Sequence, residues 1–371
     1  MDRNSSNSPV STQATPKRKG KVKQIFIRII CSILGLCLGF FIYAYKVLDG
    51  FQYVFTPIVS EEEYDTIELT GDGSLTGGDV TSSWADGGHT RVYVDPNHPI
   101  IQVDQIDADV ENILVFGVDS RGTDDYQCRT DAMMVVSINK SDDTIKLTSL
   151  MRDTGVYIGD TDETSSSSLD KLTHAYYYGG VGLMINTINR NFGLDIQRFV
   201  MLDFNSAAAI IDLVGGVDID VSADEIKYAN INITEQNAVS GSTASLITVS
   251  GTQTLSGVQA IGWSRIRYLD SDFVRTSRQR TVAFALITRV ASMGRLEQLA
   301  LIENSAGMFE TNMTTMDLAR LGLDAIGGAG SISQYRVPED NMYSVQPDPW
   351  MMIVSFDVQL PALHSFIWED N

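Results

Sequence analysis

Residues 112–117 (NILVFG) and 132–138 (AMMVVSI) are continuous apolar runs, with Asp119-Ser120-Arg121 shortly after the first and Asp131 just before the second. Such runs are too short for a membrane span and lack the polar alternation of a half-exposed strand. They suit strands covered on both faces, so helices must lie above and below them. A third strand is predicted over Thr144–Met151, where Ile145, Leu147 and Ser149 alternate with polar neighbours before Arg152-Asp153. Strands over 199–202, 217–221 and 334–337 alternate with helical spacing over 181–191, 256–262, 273–293, 296–309 and 316–326. An alanine-rich helix at 205–214 is closed by Gly215-Gly216, a glycine stop signal. Residues 348–368 read as partly helical, and the polar stretch 223–248 as an insertion loop. The expected fold is α/β, a three-layer α/β/α sandwich around a central mixed sheet.

The N-terminus sets a separate constraint. Residues 1–24 end in five basic side chains (Lys17, Arg18, Lys19, Lys21, Lys23), and 25–45 form an apolar run broken by one charge, Arg28. That run has about the twenty residues a bilayer requires, and basic residues before it keep the tail in the cytoplasm. A cleaved signal peptide is the alternative; its apolar core is shorter and ends in a small-x-small site, which is not clean here. The expected order is a cytoplasmic basic tail (1–24), one transmembrane helix (25–45), an extracellular stalk (46–94) and an extracellular domain (95–371). This is a single-pass type II protein of the cell membrane.

Eight of the 27 Lys and Arg and one of the 47 Asp and Glu precede residue 47, leaving 19 basic against 46 acidic side chains and a net charge of −27 beyond it. Nucleic acid is excluded as a partner for such a surface. Against this background Trp263–Arg280 holds five arginines: Arg265, Arg267, Arg275, Arg278 and Arg280. Arg265 and Arg267 sit two apart in a strand-like run and share a face; Arg275, Arg278 and Gln279 fall on one side of the first helical turns. Converging, they would hold an anion at a helix start. The alternative is a solvated basic face.

Asp119 and Asp131 flank the polar loop between the first two strands and could meet at one sheet end as a hard-cation site; alternatively each caps a turn. Arg121, Arg129 and Arg152 lie on the same loops, and a cation with several guanidiniums suits a diphosphate. Lys171 and His174 lie in a tyrosine-rich loop, KLTHAYYYGG. GxSxG, HExxH, P-loop and GxGxxG motifs are absent from the sequence.

NILVFGVDSR, CRTDAMMVVSI, LTSLMRDT, KLTHAYYYGG, VGGVDIDV and RIRYLDSDFVRTSRQR, in this order, resemble the LytR-CpsA-Psr (LCP) family over residues 110–290, with weaker likeness in a C-terminal extension, 291–371. The resemblance implies an extracellular phosphotransferase of mostly Gram-positive bacteria. It would move a glycopolymer from an undecaprenyl-diphosphate carrier to a muramic acid hydroxyl of peptidoglycan as a phosphodiester. It implies Mg²⁺, with Mn²⁺ as an alternative, on Asp119 and Asp131. The diphosphate would be held by Arg129, Arg152, Arg265, Arg267, Arg275, Arg278 and Gln279, with Arg121 and Lys171 beside them. Arg152 would act at the reacting phosphate, and Asp131, Asp153 and Asp272 are candidates to accept the hydroxyl proton. An apolar slot for the lipid is expected between the sheet and helices 181–191 and 205–214, where alanines leave space. Alternatives are a polyprenyl-diphosphate hydrolase, a surface-protein acceptor and a non-enzymatic membrane regulator.

Overall fold

The computed structural model describes residues 52–53, 56–64, 98–118, 130–158, 168–305, 307–314, 316–318, 320–322 and 331–369. The tail, the 25–45 run, most of the stalk, and Asp119, Arg121 and Arg129 lie outside the described residues. Among those described, no helix is long and apolar enough to cross a membrane.

Three short strands open the described chain: β1 (Gln52–Tyr53), β2 (Ile58–Val59) and β3 (Ile100–Ile101). The apolar runs become β4 (Val110–Val118) and β5 (Thr130–Asn139), followed by β6 (Thr144–Leu150), the hairpin β7 (Gly155–Ile158) and β8 (Ser168–Lys171), then β9 (Arg198–Asp203), β10 (Val217–Val221), β11 (Gly251–Leu255), β12 (Glu310–Thr311), β13 (Ile332–Val337), β14 (Tyr343–Pro347) and β15 (Trp350–Val354). A four-residue helical turn spans Glu61–Tyr64, and the longer helices are α1 (Leu172–Phe192), α2 (Phe204–Leu213), α3 (Ala223–Ser240), α4 (Gly257–Ser264), α5 (Asp272–Ser292), α6 (Arg295–Ser305) and α7 (Phe356–Trp368). The main sheet runs β1-β12-β9-β4-β5-β6-β13. It is mixed: β4 pairs antiparallel with β5 and parallel with β9. Gln52–Tyr53 join its edge beside Glu310–Thr311, so part of the stretch expected as stalk belongs to the folded body.

Both faces of β4 and β5 are covered, as their composition requires. Leu114, Phe116, Met133 and Val135 pack with α1 and α7 residues such as Leu172, Ile188 and Leu363. Ile113 and Ile138, with Val136, face the other way, against Ala283 and Ile287 of α5. Burying each such side chain contributes roughly 1.5–3 kcal/mol, an upper estimate given a compact unfolded chain. A further core joins α2–α5 and the antiparallel β10–β11 pair through Ala208, Ile219, Ile233, Trp263 and Val282. The three-layer expectation holds.

Three local readings change. Residues 172–178 are helical rather than loop; α1 breaks at Gly179–Gly180, where Gly180 has φ 61°, and the second half starts at Val181 as its spacing predicts. Residues 223–240 form α3 rather than an insertion loop. Its buried face is Glu225, Ala229, Ile233 and Gln236, helical in spacing but half polar, so hydropathy alone hides it. The signal present was the capping box, with Ser222 and Glu225 capping each other's backbone N–H groups. Arg265 and Arg267 are not in a strand: α4 runs to Ser264 and Arg265 caps it. The two helices expected to flank a lipid slot, 181–191 and 205–214, do not share one core, and Ala208 serves close packing, since a Cβ on Gly257 would lie 1.8 Å from the Ala208 carbonyl oxygen.

That contact generates a prediction. Gly257→Ala must push α4 off α2, and equilibrium denaturation is expected to show a loss of about 2–3 kcal/mol; unchanged stability would contradict the close approach.

Candidate functional site

The site begins with an irregularity in β5. Gly117 pairs with Ala132 but Val118 pairs with Thr130, so Asp131 drops out of the ladder as a bulged residue. Strict alternation from Met133, in the α1-side core, would send Asp131 to that same face. A bulge re-aims the side chain at a strand end. Asp131 Oδ1 accepts from Arg152 Nη1 at 2.5 Å and Oδ2 from Arg267 Nη2 at 2.7 Å. Burial pushes this carboxyl upward, but the charges of Arg152, Arg267 and Arg275 outweigh it and hold it below the ordinary carboxylate value. For Arg152, desolvation lowers the guanidinium's pKa, while Asp131, Asp153 and Asp272 raise it further and prevail.

Arg152 stands just past β6, and its Nε reaches Asp153 Oδ2 at 3.3 Å and Asp272 Oδ2 at 4.0 Å. Lys171, at the end of β8, meets Asp153 Oδ1 at 3.0 Å. Helix α5 starts here: Thr276 Oγ1 is 3.4 Å from Met151 Sδ, tying the first turn to the end of β6. Arg275 Nη2 pairs with Asp272 Oδ1 at 2.6 Å. The Arg275 side chain is only 2% exposed, yet its Nε and Nη1 have no hydrogen-bond partner among the described residues, and neither has Asp272 Oδ2. Desolvation drags the Arg275 pKa down, Asp272 opposes this, and Arg152 and Arg267 drag it down further. An incoming anion would satisfy this guanidinium.

The cluster therefore unites Asp131, Arg152, Asp153, Lys171, Arg267, Asp272 and Arg275. Its four cations and three carboxylates leave one positive charge. Two expected ligands sit elsewhere. Arg278 is engaged by Glu225, at 2.7 Å, and by Asp270; burial lowers its pKa, but these two carboxylates reverse the shift. Arg265 reaches Gln236 at 3.1 Å and stacks over Phe204 at 4.5 Å. Gln279 is half-buried one turn beyond Arg275. The sequence reading missed Glu225 and Asp270 as the carboxylates that claim Arg278. The Glu225 capping box was the available signal. His174 is no free base: its Nδ1 lies 2.9 Å from Asp170 Oδ2, which also accepts from Tyr178 at 2.7 Å.

As for a metal, no group of three or more His, Cys, Asp or Glu suited to one occurs among the described residues. Asp131 is a hard oxygen donor of the right kind for Mg²⁺, and both its oxygens are engaged by guanidiniums.

The LytR_cpsA_psr family model matches residues 80–355, more than half of the chain, and the chain belongs to that family. Similar curated relatives are the polyisoprenyl-teichoic acid–peptidoglycan teichoic acid transferases TagV of Bacillus subtilis, 29% identical over 54% of this chain and 49% of the relative, and TagU of Bacillus cereus, 30% identical over 55% and 60%. The chain thus spans about half the length of the curated relatives it matches. Among solved structures, TagT bound to LIIa-WTA superposes with TM-score 0.56 at 22% identity, covering 72% of this chain and 94% of that one. TagT with bound octaprenyl pyrophosphate gives 0.52 at 21%, covering 72% and 94%. These likenesses establish the fold.

Two buried arginines three residues apart should behave differently. Arg278→Ala strands Glu225 and Asp270 and is expected to cost about 3 kcal/mol, whereas Arg275→Met should change stability by no more than about 1 kcal/mol in thermal or denaturant unfolding. Asp131 also makes a pH prediction. Its folded pKa is depressed, so its contribution is complete above the unfolded value of about 3.9 and is lost as pH falls through the lower folded value. Asp131→Asn should flatten that acid limb of the stability profile.

Proposed function

We propose that this chain is a membrane-anchored phosphotransferase that moves a glycopolymer from an undecaprenyl-diphosphate carrier onto a muramic acid hydroxyl of peptidoglycan. The observation that carries the reading is Arg275, a buried guanidinium with two unpartnered nitrogens among the described residues, set between Arg152 and Arg267 beside Asp131. A guanidinium forks onto two oxygens of one phosphate, and a diphosphate offers enough oxygens to reach all three arginines. The names of the related transferases support the same donor and acceptor classes.

In the transfer, the acceptor hydroxyl oxygen attacks the sugar-side phosphorus. The bond from that phosphorus to the bridging oxygen breaks, and polyprenyl phosphate leaves with the electron pair. Arg152, Arg267 and Arg275 face the charge that grows on the phosphate oxygens, the largest contribution such a site makes. The hydroxyl proton needs an acceptor. Asp131 gives both oxygens to arginines and Asp153 is held by Arg152 and Lys171, while Asp272 Oδ2 carries no hydrogen bond among the described residues. We assign Asp272 as the base.

One excess positive charge does not balance the roughly two negative charges of a diphosphate esterified at both ends, one on each phosphorus. A divalent cation, Mg²⁺ or alternatively Mn²⁺, would supply the balance, held by an Asp131 oxygen released from its arginine and by Asp119, which precedes the loop from the paired Val118 end. The proposed setting places residues 1–24 in the cytoplasm, 25–45 in the membrane and the site outside the cell.

With lipid-linked glycan and peptidoglycan both supplied, Arg152→Ala and Arg275→Ala are each expected to lower covalent product about 100-fold or more without unfolding the protein. Wild-type turnover in either would overturn the assignment. Asp272→Asn should lower kcat about 100-fold. Chelation of divalent cations should stop transfer, and Mg²⁺ should restore it.

A further inference from the structure

After β13 the chain leaves the main sheet, and the hairpin β14–β15 carries its turn back to the site. The tip residue Trp350 is 47% exposed, whereas Met351 and Met352, the next two residues, are 2% and 1% exposed. The hairpin is anchored on the segment that holds Asp153. Met352 N donates to the Asp153 carbonyl at 2.9 Å, and Thr154 forms a β-bridge with Met352. A Cβ on Gly155 would lie 3.1 Å from Met351 Sδ and from Ile353 Cδ1, so little room separates the two. At the hairpin's other end Tyr343 packs against Phe273, ring centroids 5.6 Å apart, next to Asp272. An indole half open to water is thus held on a rigid support that touches both halves of the site.

The indole is also coupled to the cluster. Lys171 Nζ lies 5.5 Å from the Trp350 ring centroid and 3.0 Å from Asp153 Oδ1. Tryptophan is enriched among the residues that carry most of the energy of a binding surface once a partner covers them. The exposed turn residue Asp348 beside it is polar, which suits a ligand with an apolar face and a hydroxyl rim.

We propose that Trp350 is the platform on which a pyranose ring of the acceptor glycan strand stacks during transfer. A pyranose offers axial C–H groups to the electron-rich ring face while its hydroxyls reach Asp348. The side of approach selects the acceptor over the donor. Asp131 lies between Arg152 on Oδ1 and Arg267 on Oδ2; Asp272 Oδ2 and Asp153 both approach Arg152, and Asp153, Lys171 and Trp350 follow in a chain of contacts on that side of Arg152. In-line displacement puts incoming and leaving oxygens on opposite sides of phosphorus, so a hydroxyl that gives its proton to Asp272 enters from the Trp350 side. This placement rests on the phosphotransferase reading of the cluster.

The experiment uses the full chain in detergent, a soluble N-acetylglucosamine–N-acetylmuramic acid tetrasaccharide as acceptor and a polyprenyl-diphosphate-linked glycan as donor. Trp350→Ala is expected to raise the acceptor KM about tenfold with donor KM and unfolding midpoint unchanged, and Trp350→Phe to restore most of the loss. Calorimetric titration of the tetrasaccharide alone should show binding to wild type and to Arg275→Ala, and weakened binding to Trp350→Ala. An unchanged acceptor KM in Trp350→Ala overturns the platform, as does a rise confined to the donor, which would make Trp350 a contact for the lipid or the donor sugar. If the tetrasaccharide binds through Trp350 but wild type does not bind polyprenyl diphosphate, the phosphotransferase reading fails while the saccharide platform stands. If the diphosphate binds and the tetrasaccharide does not, the platform alone fails.

Discussion

The double ion pair of Asp131 with Arg152 and Arg267 holds the site together, and it exists because β5 bulges at that carboxylate. One backbone irregularity determines which residues meet. Without it Asp131 would follow Met133 into the α1-side core, where an unpaired carboxylate would cost several kcal/mol. With it, a loop after β6, a loop after α4 and the first turn of α5 converge on one carboxylate. Their positive charges then exceed what the local carboxylates neutralise, and Arg275 is the cluster's buried guanidinium with the least compensation.

The contrast between Arg275 and Arg278 gives the cluster its functional meaning. Both are buried on α5 and both come from one arginine-rich stretch. Arg278 is fully engaged by Glu225 and Asp270 and fastens α5 to α3. Arg275 shares one nitrogen with Asp272 and keeps two others bare among the described residues. Burying a charge so incompletely is unfavourable unless something arrives to complete it; Arg280 also has bare Nε and Nη1 among the described residues, and it is the company of Arg152, Arg267 and Asp131 that marks Arg275 as the binding position.

How much of this was legible in the sequence depended on what kind of signal carried it. The runs at 112–117 and 132–138 announced strands buried on both faces, and the faces of β4 and β5 follow from side-chain alternation. The helix start at Asp272 and the aspartate–arginine chemistry were also readable. Helix α3 was not, because Glu225 and Gln236 share its inward face with Ala229 and Ile233, and a hydropathy period does not count buried polar residues. Arg265 and Arg267 looked like strand neighbours because their spacing is two, but their partners, Gln236 and Asp131, are set by tertiary contacts that no local pattern encodes. The Trp350 hairpin left no trace at the site in the sequence, being nearly two hundred residues from Asp153 in the chain.

The central claim is that Arg275 is a phosphate seat in a cluster centred on Asp131. A crystal structure of the full chain with a short-chain polyprenyl diphosphate and Mg²⁺ tests it most directly. The account predicts phosphate oxygens within hydrogen-bond reach of Arg275 Nε and Nη1, with Arg152 and Arg267 on the same diphosphate. A diphosphate bound elsewhere, with those two nitrogens still bare, would contradict it.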